Sequence, residues 1–330
     1  MRALASPASL KGVLSARDAA AALCEGFARA RVAAEALPVA DGGEGTIDVL
    51  ERALGGERRN AMVADPLGRP VEAEWLVLPD STAVVEAAAA IGLPLLAPEE
   101  RDPLHASSRG LGELLVAALA EGATSLLVGI GGVATVDGGV GMREAAGAAL
   151  AEVPITVACD VRNPLLGPDG AARVFGPQKG ASPAMVAELE RRLAALDELA
   201  PYADVPGAGA AGGLGAAFAS LAAELVPGAR LILDRIDFAG RAAGADLVVT
   251  GEGTVDATTV GGKAPGEVAS VCRELGVRCV VFGGIVAEAP SGVEVHTLSG
   301  KPSRARDDLV ALASELGARL GLAEELRHRD

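Results

Sequence analysis

The sequence predicts an α/β protein in two domains, one of them discontinuous. Three observations lead there. Short apolar runs alternate with amphipathic helical patterns through most of the chain, the signature of β-α-β units around a mainly parallel sheet. That rhythm breaks between residues 59 and 88, where three short strand-like runs follow one another across turns. The chain has 330 residues, and at about 100–200 residues per domain this length calls for two.

Taken in order, residues 2–6 read as a first strand and 15–30 as a helix with Ser15 as N-cap. Residues 36–40 read as a second strand, and 46–54 as a helix that stops at Gly55-Gly56. Residues 59–63, 71–78 and 83–88 read as antiparallel strands joined by turns at Pro66-Leu67-Gly68 and Pro79-Asp80. A helix over 110–121 leads into the apolar run 125–128, and 155–158 is a further strand. A charged amphipathic helix occupies 183–199. After residue 225 the alternation returns, with strands at 246–250, 278–282 and 293–298 and helices at 266–275 and 307–320. The simplest parse joins residues 1–58 and 225–330 into one domain. It makes 59–224 an inserted mixed α/β domain and puts the active site in the cleft between the two.

Composition narrows the function. Half of the residues are apolar but only 2% are aromatic, so Val, Leu, Ile and Ala must build the core. The net charge of −15 repels phosphate backbones and anionic lipid, which argues against nucleic acid and membrane partners. A small anionic substrate is compatible if local lysines or arginines receive it. The four cysteines include no CxxC pair and read as buried thiols of a cytoplasmic protein. His105, His296 and His328 lie at no metal-ligand spacing, against a zinc or Ser-His-Asp mechanism. Lys11 interrupts any signal-peptide core near the N-terminus. The uncharged stretch 205–223 has the length of a membrane span, but its Gly/Ala content reads as a loop feeding a buried small-residue helix.

Polar residues concentrate in seven glycine-rich loops at expected strand ends or helix starts. These are SPASLKG (6–12), ADGGEGT (40–46), GIGGVATVDGG (129–139), ACDVRNPL (158–165), FGPQKGAS (175–182), GAGAAGGLG (207–215) and TGEGTVDATTVGGK (250–263). Open α/β sheets bind ligands at such places. GIGGVA and GAGAAG mimic a dinucleotide fingerprint, but the first lacks the acidic residue that should follow and the second lacks a preceding strand. A P-loop fails as well, because Ala264 follows Gly262-Lys263 and Ala257 stands where the first glycine belongs.

As an ordered set the loops resemble the bacterial type I glycerate kinases. Lys11-Gly12, ADGGEGT, the GGxATxDGG pattern, ACDVxNPL with FGPQKG, GAGAAGGLGA and TGEGxxDxxTxxGK carry the likeness over most of the chain. The resemblance implies two α/β domains, one flavodoxin-like, and ATP with Mg²⁺ as cofactors. It implies transfer of the ATP γ-phosphoryl group to D-glycerate, with 2-phosphoglycerate ahead of the 3-isomer, in a monomer or homodimer.

Phosphoryl transfer asks for cations or amide dipoles at the phosphates, carboxylates for magnesium and a group that guides the hydroxyl proton. Asp41 or Asp137 is then the candidate base and Lys11 a catalytic cation. Ser9, Lys179, Lys263, Glu252 and Asp256 join the glycine pairs Gly42-Gly43, Gly131-Gly132 and Gly212-Gly213 as the expected substrate and phosphate contacts. Asp160 and Asp256 are the expected magnesium ligands. Each has a plainer alternative: a solvated surface charge for Lys11 and Lys179, an Asx turn or helix cap for Asp41, Asp137 and Asp256. Glu44 suits the helix start at Thr46, and Glu86, in an otherwise apolar run, requires a partner.

Several positions depart from the family pattern. Ala8 replaces an acid, Val133 and Val136 replace Ser and Asn, Arg109 and Leu111 replace Tyr and Thr, and Thr254 replaces Arg. The segment between the 138–142 turn and ACDV is also shorter. With these loops expected to face the ligand, each lost donor would cost about 10²–10³ in rate. A kinase of a related hydroxy acid or polyol is therefore one alternative. A catalytically impaired paralogue that binds a metabolite is another.

Overall fold

The computed structural model describes residues 1–256, 259, 263–288 and 292–327, with side chains as far as residue 322. Ala257, Gly262 and His328 lie outside the described residues. The described strands are β1 (Arg2–Ala5), β2 (Ala33–Ala36), β3 (Glu57–Ala64), β4 (Pro70–Val77), β5 (Thr82–Glu86), β6 (Ser125–Gly129), β7 (Ile155–Ala158), β8 (Glu224–Val226), β9 (Leu247–Val255), β10 (Cys279–Val286) and β11 (Glu294–Thr297). The chain divides into two compact units.

The first unit comprises Met1–Asp41, Asp48–Ala53 and Ala229–Asp330. Its sheet has the order β11-β10-β9-β1-β2, and every neighbouring pair is parallel. Counted within the unit this is the 2-1-3-4-5 order of a flavodoxin-like sheet. A parallel sheet is covered on both faces, and Ala3, Leu4, Ala5 and 247–249 are accordingly sealed from solvent. On one face the helix Ala16–Arg29 turns Ala19, Leu23 and Phe27 toward the strands and toward Leu309, Ala313 and Leu316 of the helix Ala305–Arg327. Ser15 starts the first of these helices as expected, its hydroxyl accepting from Asp18 N at 3.0 Å. The second strand lies three residues earlier than its sequence pattern suggests. Leu37 N and Val39 N still bond to Ala5 O and Pro7 O, but Pro38 between them has no N–H and ends the regular ladder.

The second unit comprises Gly42–Ile47 and Leu54–Gly228. Its sheet runs β3-β4-β5-β6-β7-β8 and is mixed: β3, β4 and β5 pair antiparallel, the rest parallel. The β3–β4 turn closes on Asp65, whose Oδ1 accepts from Leu67 N and Arg69 N at 2.8 Å each. Trp75, Leu111, Leu114, Val128 and Phe218 form the centre of the core. In the uncharged stretch near residue 214, glycine turns feed the helix Leu214–Ser220, whose Leu214, Ala216, Ala217 and Phe218 are fully buried. No helix among the described residues is long and apolar enough to cross a membrane.

The Ser15 cap offers a direct check on the first unit. Ser15→Ala leaves an orphan N–H at the start of the helix Ala16–Arg29 and should cost about 1 kcal/mol. A lower urea midpoint with unchanged slope is the expected result, measured on the intact chain.

Candidate functional site

In the first unit the direction of winding reverses between β1 and β9. Chain leaving neighbouring strands in opposite directions opens a crevice at their carboxyl ends. A pocket of about 330 Å³ lies there. Ser9 and Lys11 enter it from the loop after β1, Glu252 and Thr254 from the carboxyl half of β9, and Gly284 and Ile285 from β10. Leu298, Gly300 and Lys301, beyond β11, close another side.

The charges here are organised around Lys263. Its Nζ lies 3.7 Å from Glu252 Oε2 and 3.7 Å from Asp256 Oδ1. The Thr259 hydroxyl donates to Glu252 Oε1 at 2.7 Å and accepts from Asp256 N at 3.1 Å. Burial pushes the Glu252 carboxyl above its usual range; Thr259 and Lys263 oppose the shift, while the charges of Asp256 and Asp41 add to it. The arrangement joins two carboxylates and an ammonium beside an open pocket, which suits a phosphate ester carrying a divalent cation. Mg²⁺ commonly takes one or two carboxylates and completes its shell with phosphate oxygens and water. Among the described residues no three His, Cys, Asp or Glu side chains are grouped to hold a metal by themselves.

In the second unit the loop 130–139 runs from β6 to the helix Val140–Leu150. Asp137 is its hub. Oδ2 accepts from Ser108 N at 2.8 Å, Ser108 Oγ at 2.7 Å and Gly141 N at 3.3 Å, and Oδ1 accepts from Gly139 N at 3.1 Å. Ser108 Oγ in turn accepts from Met142 N at 2.9 Å. Asp137 and Ser108 thus occupy the amide groups at the starts of two helices, Arg109–Ala120 and Val140–Leu150, where negative charge is favoured. Lys179 lies beneath the same loop, 3% exposed, its Nζ donating to Thr135 O at 2.7 Å. Burial pulls its ammonium down to about 7, against the upward pull of Asp137.

Backbone contact accounts for much of the glycine content. A Cβ on Gly129 would sit 2.0 Å from Gly42 O, and one on Gly212 would sit 2.1 Å from Thr135 O. Glycine at these places lets two backbones touch. Gly131 and Gly132 are exposed, whereas Gly212 and Gly213 are buried against residues 135–138.

The glycerate kinase family pattern matches residues 3–152 and 148–304. The chain belongs to the glycerate kinase family. The Glycerate 2-kinase of Escherichia coli K12 is 40% identical, over 90% of this chain and 88% of its own length. The Glycerate kinase of Halalkalibacterium halodurans is 41% identical, over 88% and 87%. A solved structure from Salmonella typhimurium LT2, of a protein provisionally named glycerate kinase 2, superposes with a TM-score of 0.84 at 34% identity, covering 98% of this chain and 99% of that one.

Within this family member the first unit brings together Ser9, Lys11, Glu252, Asp256 and Lys263, with the charge of Asp41 felt at Glu252. The second gathers Asp137 and Lys179 under one loop. Burial removes the solvated-surface alternative for Lys179, which is 3% exposed. Asp160, expected on magnesium, accepts from Gly228 N at 2.7 Å. One expectation needs correction. Val133, Val136 and Leu111, expected to face the ligand, are 3%, 2% and 0% exposed and pack in the apolar cores. Glu86 finds its partner at Ile47 N, 2.8 Å away, at the start of the helix Thr46–Leu54, while Glu44 is exposed. Arg109 is paired with Glu113 at 2.9 Å. Sequence reasoning missed Ser108, Ile285, Leu298 and Lys301. Gly300-Lys301 after the last strand carried the same glycine–lysine signal as Lys11-Gly12; the Ser108–Asp137 pair left no local trace.

Two variants test this geometry. Val133→Ser with Val136→Asn buries polar side chains among apolar neighbours, at about 1–3 kcal/mol for each unpaired group. The double variant should lose stability in urea and gain nothing in kcat/KM. Lys179→Met tests the buried ammonium. The folded-state pKa near 7 lies below that of the unfolded chain, so the wild type pays its full penalty below pH 7 and recovers stability as pH rises toward 10. The stability difference between variant and wild type should therefore shrink, in the direction of the wild type, between pH 7 and pH 10. A difference that stays flat across that window would mean that the folded-state lysine titrates as in the unfolded chain, as a solvated ammonium would.

Proposed function

We propose that this protein is a type I glycerate kinase, which transfers the γ-phosphoryl group of ATP to an alcohol oxygen of D-glycerate. The observation that carries this reading is the pocket at the carboxyl edge of the first unit's sheet. In a chain of net charge −15 it collects Lys11, Lys263 and Lys301. Lys263 is already paired with Glu252 and Asp256, so Lys11 and Lys301 are the cations this pocket turns to an anion, with the two carboxylates beside them placed for its metal. Phosphoryl transfer depends on such positioned charge far more than on covalent catalysis.

In the reaction the glycerate oxygen forms a new bond to phosphorus, the bond to the β–γ bridging oxygen breaks, and ADP leaves. We assign Lys11 and Lys301 to phosphate oxygens and Asp41 to the departing hydroxyl proton. Glu252 and Asp256 would hold Mg²⁺, which supplies positive charge to the phosphates. Asp137, with its oxygens committed to four N–H and O–H donors, acts as scaffold rather than base. The relative from Escherichia coli is named a 2-kinase, and 2-phosphoglycerate is the product we propose here.

An ADP-release assay with D-glycerate, ATP and Mg²⁺, with the product identified by NMR, tests the reading. Turnover is expected, and Lys11→Ala and Asp41→Asn should each lower kcat/KM by about 10²–10³, as for lost transition-state contacts elsewhere. Turnover of another small hydroxy acid in place of glycerate would move the substrate assignment. Glycerate-induced stabilisation without any turnover would point to a metabolite-binding protein instead.

A further inference from the structure

We infer that Thr259 is a positioning residue for metal binding: its buried hydroxyl bridges Glu252 and Asp256 and holds the two carboxylates together beside the pocket. The inference rests on the kinase reading, which gives those carboxylates to Mg²⁺. It goes past that reading to a side chain that does not line the pocket.

Thr259 is fully buried. A buried hydroxyl costs stability unless it is hydrogen-bonded, and valine would fill nearly the same space without that cost. Here the hydroxyl is used twice. It donates to Glu252 Oε1 at 2.7 Å and accepts from Asp256 N at 3.1 Å. An amide N–H only donates, so the hydroxyl must accept there and its one proton is left for Glu252. Thr259 N in turn donates to Asp256 Oδ1 at 3.3 Å and to Asp256 O at 3.0 Å. The bonds between Asp256 and Thr259 alone would make an ordinary turn, in which each side chain serves the other's amide. The bond to Glu252 is no part of such a turn. Glu252 lies in β9, seven positions away, and its other oxygen, Oε2, is 3.7 Å from Lys263 Nζ. One oxygen of each carboxylate is therefore tied to Thr259, and the orientation of both is set before any cation arrives. Two carboxylates held close repel one another. An outer hydrogen bond that fixes metal-binding carboxylates typically matters 10–100-fold to metal affinity.

Three variants of the full-length protein test the assignment. Thr259→Val and Thr259→Ala each remove the hydroxyl, and Thr259→Ser keeps it; the melting temperature shows which of them fold. Electron paramagnetic resonance of Mn²⁺, titrated into the protein with ADP present, reads the metal without turnover. Loss of the hydroxyl should weaken Mn²⁺ about tenfold, whereas Thr259→Ser should stay within about threefold of wild type. The Mg²⁺ concentration for half-maximal turnover should rise in step, with KM for glycerate within about twofold of wild type. In a Glu252→Gln background the loss of the hydroxyl should add only about twofold, because it acts through that carboxylate. Wild-type Mn²⁺ affinity in a folded variant without the hydroxyl would overturn the inference and leave Thr259 as part of a turn. A serine variant as weak as the others would overturn it as well, since the methyl group and not the hydroxyl would then matter. So would a wild type that takes up no Mn²⁺ with ADP. The two readings fail separately: hydroxyl-dependent Mn²⁺ binding without phosphorylation of glycerate keeps the inference and loses the proposed reaction.

Discussion

A parallel strand delivers its chain at the carboxyl end, and in both units that constraint gathers the polar loops. In the first unit β1, β9, β10 and β11 all run the same way, so Lys11, Glu252, Ile285 and Lys301 reach one edge although some 290 residues separate the first from the last. In the second, β5, β6 and β7 do the same for Glu86, the glycine loop after Gly129 and Asp160. The sheet buries the alternating Val, Leu and Ala that the sequence supplies, and the loops inherit their positions from it. With very few aromatic side chains to fill space, packing relies on small residues and close backbone approach.

The loop 130–139 shows how the polar groups divide the work. Its valines enter apolar cores, its aspartate satisfies the amides of two helix starts, and Gly129 lets it lie against Gly42. Lys179 supports it from below at the cost of a buried ammonium, offset by the Thr135 carbonyl and the Asp137 charge. A buried lysine is expensive, and one held by a single protein carbonyl fixes the loop where a hydrophobic side chain would only fill space. Val133 and Val136 thus belong to the core behind the loop and not to the surface in front of it.

The clustering in the first unit has another origin. Lys263 bridges Glu252 and Asp256, and Thr259 holds both by its hydroxyl and amide. These four residues lie within twelve positions of one another, so their proximity is local in sequence. Glu252 is the more buried carboxylate, which is why its proton is held more tightly than usual. A cation or phosphate that enters the pocket meets this cluster already assembled.

The sequence by itself determined the alternation of strands and helices, the antiparallel hairpins near residues 60–85, the Ser15 cap and the family likeness carried by the ordered loops. Those features are local: each depends on spacing within a dozen residues or on a motif read in place. It also marked Lys11, Glu252, Asp256 and Lys263, because glycine and charge together at a strand end stand out in an apolar chain. Only the tertiary structure decided which side chains in those loops face inward. Whether Val133 sees a ligand or a core, whether Asp137 is spent on helix amides, and whether Lys179 is wet or dry all depend on segments 29 to 44 residues away or farther. Ser108 meets Asp137, and Lys179 meets Thr135, through the folding of the sheet between them. Hydrophobic period encodes the face of an element, but a loop has no period, so its inside and outside are set by what packs against it.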